Sequence, residues 1–290
     1  MPPPSSGGIC LAQISSLLKD YRFSTTEAGS ARHLHLLAEA MRRSFADRNQ
    51  FLGDPDFVDC QTQMLLSADH LNKLRSSISE DVATLSSNFT PSPQGIKESE
   101  QTTHYSVVDP AGNGVAVTTT LNGSFGSKVV VPGTGFLLNN EMDDFSAKPG
   151  VPNAYGMIGG DANSVQAGKR PLSSMSPTFI LKNKKPFLIT GSPGGSRIIT
   201  TTLQMILNVI DHDMNLAEAT ISSRIHHQWL PDEIRVEKSL NKDTVELLKQ
   251  KGHKVIRKSS MGSTQSIMLT EKGLWGYSDL RRSGALTTGY

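Results

Sequence analysis

Two β-prone runs, 102–108 and 115–121, stand on either side of Asp109-Pro110-Ala111-Gly112-Asn113-Gly114, and this pairing constrains the chain more than any other stretch. Proline presets a turn angle, and glycine and asparagine accept the tight backbone a reversal needs, so the segment predicts an antiparallel hairpin. A turn centred near Ala111 sets the register. His104 then falls opposite Thr118, and Thr102 opposite Thr120. Cross-strand neighbours hold their Cβ atoms ~5 Å apart. The Thr120 hydroxyl is therefore expected beside the first residue of the first strand, and a slip of one residue would carry it to the other face.

The residues before the hairpin have a different texture. Positions 86–101 read Ser-Ser-Asn-Phe-Thr-Pro-Ser-Pro-Gln-Gly-Ile-Lys-Glu-Ser-Glu-Gln. Polar side chains, two prolines and a glycine predict an exposed, mobile linker, where a chain can be cut without unfolding the strands beyond it. A break between Gln101 and Thr102 would give Thr102 a free α-amine. Such an amine has a pKa of ~7.7–8.0 and can act as base for the hydroxyl of its own residue.

Ahead of the linker, Ile9, Ile14, Leu17, Leu18 and Tyr21 follow a helical period. Leu34, Leu37, Ala40, Met41 and Phe45 form a second stripe, with Ser30 as its N-cap. His33 and His35 read as surface or packing residues. Beyond the first hairpin, 178–190 predicts a second one turning at Asn183. It runs into Gly191-Ser192-Pro193-Gly194-Gly195-Ser196, and then into a helical stripe of Ile199, Leu203, Ile206, Leu207 and Ile210. Strand, glycine loop and helix together present bare backbone N–H groups, so Gly194 and Gly195 suit an oxyanion hole. The Gly-Lys-Ser/Thr ending of a phosphate loop is absent. A helix at 243–251 and strands at 255–257, 265–269 and 274–277 complete an α+β layered domain.

Other clusters admit bland readings beside chemical ones. Ser173-Ser174 can hold a carboxylate, and no G-x-S-x-G elbow surrounds them. Asn139-Asn140-Glu141-Met142-Asp143-Asp144 is a dense acidic turn that suits a substrate ammonium and lacks the ligand spacing of a calcium loop. His226 and His227 are adjacent and diverge, which favours a structural role over a metal site. Nothing in the sequence calls for a metal or an organic cofactor. With 29 bases against 27 acids and no basic stripe, nucleic acid is not an expected partner. No apolar run reaches the ~20 residues of a membrane span. Cys10 and Cys60 stand outside any C-x-x-C pair, and spacing leaves their pairing open. The first eight residues lack a basic start and read as a loop from inside a domain rather than a signal peptide.

Several blocks, in order, resemble the γ-glutamyltransferases (γ-glutamyltranspeptidases). Thr102-Thr103-His104-Tyr105-Ser106-Val107-Val108-Asp109 resembles the start of their small subunit. Positions 139–145, 169–178 and 191–197 match further blocks, while 2–8 and Asp54-Pro55-Asp56-Phe57 resemble the tail of their large subunit. The resemblance implies an N-terminal-nucleophile hydrolase fold, an αββα four-layer sandwich. It divides the chain into 1–101, the end of a large subunit closing in a flexible linker, and 102–290, a complete small subunit. Self-cleavage would leave the two as a heterodimer. By the same resemblance Thr102 is the nucleophile, Thr120 orients it, and Gly194 and Gly195 receive the oxyanion. Asn122, Glu141 and Asp144 would hold the substrate ammonium, Ser173 and Ser174 its carboxylate, and Tyr155 falls in a lid segment. Glutathione and other γ-glutamyl compounds are the implied donors, and water, amino acids or dipeptides the acceptors. The implied location is periplasmic or extracellular. Family members carry a long region ahead of the matched part, with a secretion signal and an arginine for the substrate carboxylate. Neither is in this sequence, so the sandwich is expected to be incomplete. A truncated, inactive remnant or an assembly partner without catalysis of its own, and a related N-terminal-nucleophile acylase, are the alternative readings.

Overall fold

The computed structural model describes residues 1–21, 23, 27–89, 101–146 and 160–289. Helix α1 (Gly7–Leu18) turns Ile9, Ile14, Leu17 and Leu18 inward. It starts on two glycines for a steric reason: a Cβ on Gly7 would lie 2.2 Å from Ser176 Oγ. The residues before it are packed as well, with Ser5 bridging Ser173 in parallel. Helix α2 (Ala31–Phe51) begins on Ser30, whose hydroxyl accepts the His33 N–H at 3.1 Å. That bond satisfies one of the donors a first helical turn leaves open. Two short helices come next, α3 (Thr62–Leu65) and α4 (Ala68–Ser76).

The hairpin β1 (Thr102–Val108) and β2 (Gly114–Thr120) has the expected register, with Thr102 opposite Thr120 and His104 opposite Thr118. The second hairpin, β3 (Thr178–Lys182) and β4 (Lys185–Thr190), turns on Asn183 and Lys184, both left-handed, as a two-residue hairpin turn demands. After it come α5 (Arg197–Ile210), α6 (Leu216–Ile221), β5 (Ile225–His226), β6 (Ile234–Glu237), α7 (Lys242–Gln250), β7 (Val255–Lys258), β8 (Gln265–Thr270) and β9 (Gly273–Ser278). Strands β3-β4-β8-β9 form one sheet, and β5-β6-β7 form a smaller one in which β6 and β7 are parallel.

The layers are set by which faces are apolar. Leu188 of β4 packs with Met205 and Val209 of α5 and with Leu216 and Ala219 of α6, so helices cover one face of the four-stranded sheet. The other face receives the β1–β2 hairpin. Ser106 of β1 donates to the Gln265 carbonyl of β8 at 2.9 Å, and Gly114 admits Ile189, whose Cδ1 would be 2.4 Å from an added Cβ. Tyr105, Val107 and Val115 point the opposite way and are 48, 53 and 52% exposed. The order is therefore helices, sheet, sheet, with the outward face of the last layer uncovered by the described residues.

One core spans the linker. Leu34, Leu37 and Met41 of α2 bury against Leu203, Leu207, Ile225, Ile234, Val236 and Leu248. Each such side chain contributes roughly 1.5–3 kcal/mol on leaving water. His35, expected at the surface or in packing, is fully buried, its Nδ1 2.7 Å from His253 Nε2. His226 and His227 are also structural: His226 meets Thr200 and Gln228, and His227 meets Asp232. Cys10 and Cys60 are both buried free thiols.

Candidate active site

Thr102 opens β1 almost fully buried, 7% exposed. Its strand partner is aimed at the bond before it: the Thr120 hydroxyl donates to the Gln101 carbonyl at 2.8 Å. That hydroxyl in turn accepts the Asn122 N–H at 2.9 Å. Asn122 is left-handed (φ 67), a conformation asparagine tolerates better than most residues, and this breaks the strand and turns the chain into the site. The Thr102 carbonyl is held from the other side by Arg282 Nη1 at 2.5 Å.

The hairpin end is tied to the acidic turn. Asn122 Nδ2 donates to the Asn140 carbonyl at 3.1 Å, and Gly123 N–H to Asn140 Oδ1 at 2.8 Å. The turn, Glu141–Asp144, is a single 3-10 helix. Burial, and then the charge of Glu141, push the Asp144 carboxyl up to about 8. Burial raises Glu141 too. Two carboxyls this close share protons at neutral pH. One Glu141 oxygen is buried without a hydrogen-bond partner among the described residues, an acceptor suited to an arriving donor.

The serine pair is positioned from three directions. Asp54 accepts from Arg170 through its backbone N–H (2.8 Å), Nε (2.9 Å) and Nη2 (2.6 Å), anchoring the start of the loop. Ser6 donates to the Ser173 carbonyl through both N–H and hydroxyl, at 2.8 and 2.7 Å. Asn163 ties the loop to the acidic turn, giving its Nδ2 to the Asp144 carbonyl at 2.7 Å and taking the Leu172 N–H at 2.9 Å. Opposite them Gly194 (φ 134) and Gly195 (φ 57) occupy backbone that favours glycine, just before α5 begins.

These pieces close on one cleft. Thr102, Thr120, Asn122, Asp144, Ser173, Ser174 and Gly195 line it, together with Leu172, Met175, Ser196 and Ile198. Its volume in the uncut chain is about 30 Å³, space for water rather than an amino acid. Glu141 stands behind Asp144 and Gly194 beside Gly195, both outside the wall itself. Tyr155 lies outside the described residues. Sequence reasoning missed Asn140, Asn163, Ser6 and Arg48, the last of which donates to Ser174 Oγ at 3.1 Å.

The gamma-glutamyltranspeptidase family model matches residues 1–289. The chain belongs to that family. It is 55% identical over its whole length to a glutathione hydrolase proenzyme of Escherichia coli, of which it covers 50%. It spans about half the length of the curated relatives it matches. A Helicobacter pylori gamma-glutamyltranspeptidase mutant is 56% identical, with a TM-score of 0.60 over 62% of this chain and 100% of its own. A cephalosporin acylase from Bacillus halodurans shares the fold over the whole chain and 51% of its own, with a TM-score of 0.80 at 24% identity. These relatives make the chain an N-terminal-nucleophile hydrolase in architecture.

Proposed function

We propose that this chain cleaves γ-glutamyl amide bonds after cutting itself between Gln101 and Thr102. The observation that carries the reading is the Thr120 hydroxyl on the Gln101 carbonyl, at the one residue where the new N-terminus would be a buried threonine in a polar cleft. In the uncut chain, that bond draws charge toward the carbonyl oxygen. Thr102 Oγ adds to the Gln101 carbon, the C–N bond breaks with the proton passing to the Thr102 nitrogen, and an ester forms. Water hydrolyses the ester and leaves residues 1–101 and 102–290 as two chains of one fold.

In the cut enzyme the α-amine of Thr102 takes the proton from its own hydroxyl. The oxygen attacks the γ-carbonyl of the donor, with Thr120 freed from Gln101 to orient it. The Gly194 and Gly195 N–H groups receive the oxyanion, a contribution of ~2.7–4 kcal/mol per donor in comparable sites. Asn122, Glu141 and Asp144 take the substrate ammonium, and Ser173 and Ser174 its carboxylate. With both ends of the amino acid fixed, the γ-carbonyl has one place to lie. The γ-glutamyl ester then passes to water or to an amino acid or dipeptide amine. Glutathione has this donor chemistry, and Tyr155 is assigned to the lid over it. We place the enzyme in the periplasm or outside the cell on the family's pattern. No helix among the described residues is long and apolar enough to cross a membrane.

The test is intact mass after incubation at neutral pH, beside Thr102→Ala. A new chain starting at Thr102, and an uncut variant, are the expected results. Cleavage persisting in Thr102→Ala would refute self-processing by this residue.

A further inference from the structure

Arg48 lies on α2, 2% exposed, and reaches toward the serine loop. Its Nε donates to Ser6 Oγ at 2.8 Å, Nη1 to Asn49 Oδ1 at 2.9 Å and Nη2 to Ser174 Oγ at 3.1 Å. All three partners are neutral. Buried Arg42, Arg43, Arg224 and Arg235 each touch a carboxylate. Arg48 makes no such ion pair with the described residues. The neighbouring Asp47 is turned elsewhere, bonded to Gln13 and His70. The charges that reach Arg48 are those of Cys10 and Asp144. Burial pushes the Cys10 thiol up to about 11, and Asp144 sits at about 8, so both are largely uncharged at neutral pH. A buried cation without an anion is costly, and arginine does not escape by losing its proton.

The contact with Ser174 also has a direction. Because Ser174 Oγ accepts from Arg48, its own hydrogen must point elsewhere, and Ser174 lines the cleft. Through Ser6, the same guanidinium braces the carbonyl of Ser173. We propose that Arg48 is the positioning residue that makes the cleft select a ligand carrying an α-carboxylate: it aims the Ser174 hydroxyl and supplies the positive field behind it. This rests on the γ-glutamyl reading and adds what sets its selectivity. Arg48 acts through Ser174 and is distinct from the arginine that the family carries ahead of the matched region.

The test is equilibrium binding of L-glutamate and of 4-aminobutyrate, which is glutamate without its α-carboxylate, by calorimetry, to all 290 residues in the cut form, after intact mass shows the break before Thr102 complete. The parent should prefer L-glutamate. In Arg48→Gln that preference should fall at least tenfold while 4-aminobutyrate affinity stays within twofold. In Arg48→Lys the preference should persist near pH 6 and decline toward pH 9, because a buried ammonium gives up its proton where a guanidinium does not. The parent, measured over the same range, corrects for the acidic turn. A parent without affinity for L-glutamate refutes the γ-glutamyl reading itself. A parent with the preference, and Arg48→Gln that folds and keeps it, overturns the role of Arg48 alone. Should Arg48→Gln not fold, Arg48→Lys decides: a preference with the parent's pH dependence overturns the proposal. Loss of fold in both variants makes Arg48 structural and overturns it too.

Discussion

Replacing Glu39 by glutamine removes the charge at the centre of α2 while keeping its shape. Glu39 is fully buried. Its Oε1 accepts from Arg42 Nε and the Thr84 N–H, both at 3.2 Å, and its Oε2 from Arg43 Nη1 at 2.6 Å. Arg42 retains Asp232 as a second anion, but Arg43 keeps neutral oxygens alone among the described residues, those of Ser77, Thr84 and the Leu74 and Glu39 carbonyls. Breaking a buried ion pair from one side costs about 3–5 kcal/mol, and the remaining Arg42–Asp232 pair places this case near the low end. For a chain of this size that corresponds to a melting point lowered by about 5 °C. The pH dependence gives a second arm. Burial alone would raise the Glu39 carboxyl, but Arg42, Thr84 and Arg43 outweigh it and hold it below its ordinary value. A depressed carboxyl stabilises above its unfolded pKa of ~4.3 and loses that contribution as pH falls through the folded value. Circular-dichroism melts at pH 7 should therefore separate parent and Glu39→Gln, and the gap should narrow below about pH 4. A variant melting within about 2 °C of the parent at pH 7, or a gap independent of pH, would refute the reasoning.

Two other changes bear on the site. Thr120→Val removes the hydroxyl from the Gln101 carbonyl and should slow self-cleavage roughly 10²–10³-fold by time-resolved mass, the scale of one lost oxyanion donor, while Thr120→Ser keeps most of the rate. Asp144 has the opposite linkage from Glu39. With its folded pKa raised to about 8, its favourable contribution is complete below ~4 and is lost as pH climbs toward 8, so parent stability should fall relative to Asp144→Asn across that interval in urea titrations. Parallel titration curves would remove Asp144 from the buried acidic pair.

The hairpin and its register were legible because they are local: a turn cluster fixes which residues face each other, and Thr102 and Thr120 are found by counting. The serine pair, acidic turn and glycine loop were legible as clusters, and the structure adds that they converge on one cleft. The contacts that escaped are tertiary. Arg48 and Ser6 are separated from Ser174 by 126 and from Ser173 by 167 positions, and no period or spacing links them. Asn163 reads as one more loop asparagine until both of its partners are seen. Gly7 and Gly8 argue against a helix start on propensity, and close packing of Gly7 on Ser176 and of Gly8 on Met1 overrides that.

The core shared across the linker has a consequence for any cut at Thr102. Leu34, Leu37 and Met41 would belong to one product, and Leu203, Ile234 and Val236 to the other. The cluster of Leu188, Met205, Val209, Leu216 and Ala219 closes within the second product alone, but this larger core does not, so pulling the two apart would strip both of it. Scission would therefore be silent in shape, while turning a unimolecular stability into one that depends on concentration. Two pieces made separately would have to meet to complete that core, so dilution as well as heat would undo the pairing.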